Sequence, residues 1–480
     1  MSMSTSTTPT TSATATVTLP AVVPAISEVE YRARIACFFD EMKDNSVAFV
    51  VGADEKLRSN DTDYKFRQSS DVLYLNGFPQ PDAILAFVKV TKEDQKLVMF
   101  VLPKDPTKET WTGFREGTEG AKAKYFADVA FVVDDFSKEA AKMIAKSTTV
   151  YYHYGHNHGV NKQFRALYEA DPKDLLNVNQ IVHAHRMIKS TAEIAMIRHA
   201  GTISAEAHIE AMKRCAREPG TITEGKLQAT LEFHFVDRGA QSVAYQSIVA
   251  GGNNANTLHY TLNDKPLKDG DLVLIDAACE FGGYASDITR TFPVNGKFSD
   301  AQREIYALVL KAQLAAIDAS KPGCTLRSVH EVAVQVLREG LVDLGVLPAG
   351  MRTQDGAEKL VADAKVAGTE IDLLTLGALY MHGTGHWMGL DVHDVAKNGT
   401  KNASHKLVPT KAGNVFTVEP GLYFDANDKR MPARYRGIGV RIEDDVVITD
   451  TGCEVLTAKV PKSIDEIEAL MAEAAKSSQA

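Results

Sequence analysis

Four carboxylates set inside apolar, strand-sized runs constrain this chain more than any other feature. Asp276 closes the apolar run 272–275, and Asp287 lies in Tyr284-Ala-Ser-Asp-Ile-Thr, the second arm of the same expected hairpin. A carboxylate is rarely fully buried without a partner, because taking it out of water unpaired is costly. With the turn Glu280-Phe-Gly-Gly centred between Phe281 and Gly282, Asp276 is expected directly opposite Asp287, the two Cβ atoms roughly 4.5–5.5 Å apart on one face. Two like charges that close require a cation. Either Asp alone would fit a residue accepting turn hydrogen bonds; the matched pair argues against that. Glu419 ends Val415-Phe-Thr-Val-Glu, just before Pro420-Gly421. Glu443 lies in the run 437–448, where Ile438, Val440, Ile442, Val446 and Ile448 alternate with Arg441, Glu443 and Asp445 at the strand period of two. For Asp444 and Asp445 a solvated strand face is the preferred reading. For Glu443 a ligand and a solvated residue fit equally.

Histidines cluster nearby in sequence, at His382, His386 and His393. His382 and His386 are four apart, as in H-E-x-x-H, but Gly383 and Gly385 disfavour a helix and no Glu follows the first His, so a zincin site is rejected. Three imidazoles within twelve residues, in a chain with four displaced carboxylates, indicate a site. Four carboxylates and one imidazole form an oxygen-rich donor set. It suits two divalent ions of the Mn, Co, Fe or Mg kind better than a structural zinc, which favours sulfur and nitrogen.

The rest of the chain sets the frame. At 480 residues two or three domains are expected. A net charge of −9 with no basic block excludes an electrostatic nucleic-acid surface. No apolar run approaches the ~20 residues of a bilayer span. Five scattered cysteines (37, 215, 279, 324, 453), with no C-x-x-C pair, read as reduced thiols in a cytoplasmic protein. Residues 1–27 lack charge and are Ser/Thr-rich, so a disordered tail is expected, with neither a secretory nor a mitochondrial leader pattern. Apolar runs at 47–51, 72–75, 83–88, 97–102, 131–133 and 148–152, with a helix around 161–169, predict an N-terminal α/β domain over 28–185. Ser190 with Glu193 forms a capping box opening a long helix whose face carries Ile194, Ile197, Gly201, Ser204 and His208. A second helix carries Leu227, Leu231 and Phe235 and stops at Gly239, and the hairpin 271–292 follows. The order recurs with helices after Ser299 and Thr325 and strands at 414–419 and 437–449. A pseudo-duplicated second domain over 186–470 is expected, leaving a tail at 471–480.

Together, Asp276…Asp287-Ile-Thr-Arg-Thr-Phe, His382-Gly-x-Gly-His386-x-x-Gly-Leu-Asp-Val-His393-Asp, Thr417-Val-Glu419-Pro-Gly-Leu-Tyr and Gly437-Ile-Gly-Val-Arg-Ile-Glu443-Asp-Asp resemble the proline-specific branch of the pita-bread metallopeptidases. Aminopeptidase P is nearest and prolidase next, and the resemblance covers roughly residues 28–470. It implies a mixed α/β fold with a pita-bread catalytic domain, and a dinuclear centre, usually manganese-loaded, held by Asp276, Asp287, His386, Glu419 and Glu443. It further implies that His259, His382 and His393 face the substrate, that Glu419 also handles the proton, and that Arg441 stands beside the site. Tyr245 and Trp111 are implied as substrate-binding, Trp111 by completing a neighbour's active site in some members. The implied reaction is release of an N-terminal residue preceding proline, by attack of a metal-bridging hydroxide, in a homodimer or homotetramer. Prolidase is the alternative enzyme, and a non-catalytic pita-bread module or metal-free creatinase-like chemistry would require lost ligands, whereas all five are present. The stretch 348–379 is longer and more polar than the bacterial relatives lead one to expect.

Overall fold

The computed structural model describes residues 23–369, 373–395 and 407–477. Most of the expected tail, residues 1–22, falls outside these, but its last residue has a structural task. Ser27 caps helix Glu28–Glu41, its hydroxyl accepting the Glu30 N–H at 3.2 Å.

The first part of the chain builds a six-stranded mixed sheet in the order Val129–Val132, Gln95–Val101, Ile84–Lys89, Ser46–Val51, Thr149–Tyr151, Asp174–Leu176. Strand Ser46–Val51 is antiparallel to Ile84–Lys89 and parallel to Thr149–Tyr151. Both faces are covered, which is why these runs are apolar without alternation. One expected strand is corrected. Val72–Leu75 lies inside helix Ser70–Asn76, ended by Gly77 at φ 70°; four apolar residues are too few to separate a buried strand from a buried helical turn.

The second part opens with helix Thr191–Arg217, where both bonds of the Ser190–Glu193 capping box form, and helix Glu224–Asp237, which packs against it. Strands Ile248–Gly251, Leu272–Asp276 and Thr289–Pro293 form a small antiparallel sheet. The order repeats. Helices Asp300–Ala319 and Leu326–Asp343 pack together, and strands Val415–Val418, Asp444–Ile448 and Cys453–Val455 form a second sheet beside the pair Gly421–Tyr423 and Gly439–Arg441. Residues 471–477, expected as part of a tail, are helical. Helix Ile464–Ser477 packs on Thr191–Arg217 and buries Met471 and Ala474. The polar stretch from 348 folds a short turn, Ala349–Met351, and a helix, Gln354–Ala367, with no buried residue.

The hairpin register also differs from expectation. Phe281 pairs with Tyr284, and Asp276 pairs with Thr289, so the turn is Gly282-Gly283 and Asp287 is not opposite Asp276. Both glycines have positive φ (58° and 84°), a backbone that other residues adopt only with strain. The slip is two residues. Because side chains alternate with period two, it leaves Asp287 on the face of Asp276.

Among the described residues all five cysteines are unbridged, and no helix is long and apolar enough to cross a membrane.

Candidate metal centre

Each arm of the hairpin breaks in the middle, and the breaks turn the carboxylates inward. Strand Leu272–Asp276 is separated from Cys279–Phe281, and Tyr284–Ala285 from Thr289–Pro293. Breaking a ladder underneath a core strands backbone groups, which must find other partners. The long helix Thr191–Arg217 supplies them. His208 Nε2 lies 2.8 Å from the Ala277 carbonyl, and Ser204 Oγ accepts the Cys279 N–H at 2.9 Å. The Asp287 N–H goes to Asp445 Oδ2 at 3.0 Å.

Glu443 occupies the equivalent break between Gly439–Arg441 and Asp444–Ile448, with its N–H bonded to the Thr289 carbonyl at 3.1 Å. Beneath it lies Arg290, fully buried, which donates to the Glu443 carbonyl at 2.5 Å and to Asp444 Oδ1 at 2.7 Å. Asp444 also takes Lys462, Gln313 and Thr457. The solvated face expected for Asp444 and Asp445 is therefore corrected: both are 0 % exposed. Burial works to raise the Asp444 carboxyl, but Arg290 and Lys462 hold it down at about 2.

His386 and Glu419 come from the glycine-rich loop and the end of strand Val415–Val418. The His386 N–H bonds Thr417 Oγ1 at 3.1 Å and the Glu419 N–H bonds the Thr384 carbonyl at 2.8 Å. A Cβ on Gly385 would stand 1.9 Å from the Thr417 carbonyl oxygen, so only glycine permits this approach. His386 Nδ1 sits 3.1 Å from the Trp387 carbonyl. A carbonyl can only accept, so Nδ1 carries a hydrogen and Nε2 is the nitrogen that faces the carboxylates, where a metal ion would take the place of its proton.

The donor atoms converge. His386 Nε2 is 3.4 Å from Asp287 Oδ2 and 3.5 Å from Glu419 Oε1, and one ligand atom from each of Asp287, His386 and Glu443 lie within 4.8 Å of one another. Asp276 Oδ2 accepts from Arg441 Nη2 at 2.7 Å, while its buried Oδ1 has no partner among the described residues. The charges are out of balance. Burial, then the neighbouring carboxylates, push Glu443 well above the ordinary range and Glu419 up to about 7. Burial opposes a charge on His386, yet Asp287 and Glu419 raise it to about 9. An orphaned carboxylate oxygen and four crowded acids against one guanidinium and one imidazole fit divalent cations with oxygen and nitrogen donors.

Ten of the eleven expected residues line one cavity of about 600 Å³: Tyr245, His259, Asp276, Asp287, His382, His386, His393, Glu419, Arg441 and Glu443. Tyr245 donates its hydroxyl to Asp287 Oδ1 at 2.5 Å. The His393 ring stacks on His386 with centroids 3.8 Å apart, and burial with the His386 charge lowers it to about 4. Trp111 stands apart on helix Pro106–Thr112, 85 % exposed. Thr289 and Tyr423, which the sequence does not single out, complete the surroundings together with Asp445, expected on a solvated face but buried here. Thr289 donates to Glu443 Oε2 at 2.6 Å and accepts from Arg441 Nε at 3.2 Å. The Tyr423 hydroxyl accepts from Arg441 Nη1 at 2.9 Å and lies 2.8 Å from His382 Nε2. Asp445 holds the Asp287 amide. Thr289 would have followed from the correct register, and Tyr423 sits within a motif already noted; nothing local marks Asp445.

The chain is similar to known proteins over nearly its whole length. Residues 195–450 match metallopeptidase family M24, and residues 31–151 match the aminopeptidase P N-terminal domain. The Xaa-Pro aminopeptidase of Haemophilus influenzae is 40% identical over 451 residues, covering 94% of this chain and 99% of its own. That of Escherichia coli is 40% identical over 461 residues, with coverage of 94% and 99%. Among solved structures, Pseudomonas aeruginosa aminopeptidase PepP superposes with a TM-score of 0.86 at 40% identity, over 95% of this chain and 100% of that one. Zinc-substituted E. coli aminopeptidase P in complex with product gives 0.85 at 38% identity, over 94% and 99%. A pita-bread catalytic half preceded by this N-terminal sheet, matched nearly end to end, means that the chain belongs to metallopeptidase family M24 in its aminopeptidase P branch, and is a hydrolase dependent on divalent metal ions.

Proposed function

We propose that the chain releases the N-terminal residue from peptides with proline in second place, using two ions, most suitably Mn²⁺, held by Asp276, Asp287, His386, Glu419 and Glu443. Proline forms a tertiary amide without an N–H, so peptidases that grip that group handle it poorly and a dedicated site is needed. Bound there, the ions supply an activated water and a polarised carbonyl. The remaining work falls to the chain. Glu419, with Oε1 toward His386 and Oε2 3.6 Å from His382 Nδ1, carries a proton to the departing proline nitrogen. His259 and His393, exposed at the cavity wall, orient peptide carbonyls. His382, lowered to about 4 by burial and then by Arg441, stays neutral and fixes the Tyr423 hydroxyl. Tyr245 steadies Asp287.

One observation favours an aminopeptidase over a dipeptidase. A dipeptidase must anchor a free carboxylate just after the proline, a task suited to a bidentate Arg. Among the described residues the cavity has one Lys or Arg, Arg441, and its guanidinium already serves Asp276, Tyr423 and Thr289. Of the four lysines between Asp394 and Ala412, Lys397, Lys401 and Lys406 lie outside the described residues, and Lys411 is exposed and does not line the cavity. An Xaa-Pro-Yaa tripeptide should therefore be cleaved at least ~10-fold more efficiently than Xaa-Pro, about 1.4 kcal/mol in transition-state binding. Equal kcat/KM values at the same metal loading would move the assignment to prolidase.

The same reading divides the chain near residue 186, with the catalytic half running on through Ser477. It takes the exposed Trp111 indole as a contribution to a neighbouring subunit's cavity in a homodimer or homotetramer. Unbridged cysteines favour a reducing compartment, the cytoplasm.

A further inference from the structure

A second cavity, about 1170 Å³, opens between the N-terminal sheet and the loop bearing His393, and His393 lines both it and the metal-site cavity. One wall stands at the carboxyl ends of the adjacent parallel strands Ser46–Val51 and Thr149–Tyr151, where Gly52–Asp54 and His153–Asn157 leave the sheet. Open α/β sheets take ligands in such crevices. The opposite wall is pinned. Arg186 Nη2 reaches Asp391 Oδ2 at 2.8 Å and Asp394 Oδ1 at 2.5 Å, on either side of His393, while its Nη1 holds Asp71 Oδ1 at 2.7 Å.

The fixed charges of this groove answer one another: Arg186 as above, Lys56 with Asp54 at 2.6 Å, and Arg67 with Glu280 at 2.6 Å. Among the described lining residues this leaves no cation to receive a phosphate or a peptide's terminal carboxylate. His153 and His156 are exposed along the wall, and imidazoles both donate and accept, which suits the repeating N–H and C=O of a peptide backbone.

We propose that the groove receives the residues beyond the proline, so that the preferred substrates are peptides of four or more residues that leave the metal cavity past His393. This rests on the Xaa-Pro aminopeptidase reading. Contacts remote from the scissile bond act through transition-state binding, so truncated substrates lose efficiency.

Gly155 provides the test, because a Cβ there would meet nothing within 4 Å and its φ is not positive. Gly155→Phe places a ring in the groove without backbone strain. In the metal-loaded full chain, kcat/KM should rise about fivefold from Xaa-Pro-Yaa to the same peptide extended by three residues. Gly155→Phe should remove that rise and leave the tripeptide unchanged, and His156→Ala, which leaves the backbone undisturbed, should reduce it. A flat length series in the parent overturns the proposal, as does a rise that survives both substitutions or a loss shared equally by the tripeptide. Failure to cleave the tripeptide at all would instead strike the underlying aminopeptidase reading.

Discussion

Asp287 is held from three directions: its amide by Asp445, Oδ1 by the Tyr245 hydroxyl, and Oδ2 close to His386 Nε2. Asp287→Asn keeps the volume and the amide contact and removes only the charge. Activity should fall by more than the ~100-fold upper range of changes outside the ligand set, with the thermal midpoint little altered. Near-native turnover at full metal occupancy would mean that the donor set is misassigned. His208 behaves differently. Its Nε2–H serves the Ala277 carbonyl while Nδ1 is buried without a partner, and burial, reinforced by Arg290, lowers it from 6.5 to about 4. Between those pH values the unfolded chain binds a proton there that the folded chain does not. The folded state therefore loses stability as pH falls from 6.5 toward 4, at up to about 1.4 kcal/mol per pH unit for one site. His208→Gln, whose amide can keep the Ala277 bond, should show a shallower fall in urea melts at pH 7, 6 and 5. An identical slope would show that His208 charges within the fold.

At the scale of elements, buried polar groups tie the broken strands together where the ladder bonds stop. Arg290 ties Thr289–Pro293 to Asp444–Ile448 through Asp444, both side chains 0 % exposed. Arg290→Met should cost about 3 kcal/mol, the low end for stranding a buried charge because Lys462 still pairs with Asp444; chemical denaturation measures it, and a loss under 1 kcal/mol would refute the account. The same contact explains what the sequence could and could not convey. Alternation sets Asp444 on the apolar face with Ile442 and Val446, but does not reveal that a guanidinium from another strand waits there. The hairpin register was misjudged by two, because the turn glycines can sit at either of two positions without changing the pattern. The inward face survived the error since two is the strand's own period. Capping boxes at Ser190 and Ser299 were legible because their partners are three residues away. Thr289, Tyr423 and Asp445 were not, because each acts across a fold that only tertiary packing creates.

Across the whole molecule, the proposed centre draws on both pseudo-duplicated halves, with Asp276 and Asp287 from the first and His386, Glu419 and Glu443 from the second. Stripping the ions should abolish activity and lower the thermal midpoint, since the carboxylates would be left facing one another. Mn²⁺ or Co²⁺ should restore both better than Ca²⁺, given four carboxylates and an imidazole. Full turnover after chelation would overturn the mechanism. The strand carrying Glu443 also has a bearing on how the protein is born. At about 5–20 residues per second of synthesis, Glu443 leaves the ribosome on the order of ten seconds after Asp276. With Glu443 as a ligand, the nascent chain has until then no complete centre to load, and any product truncated ahead of that strand should be inert. On the proposed ligand set, proteolytic capacity is thus withheld until that strand has been made.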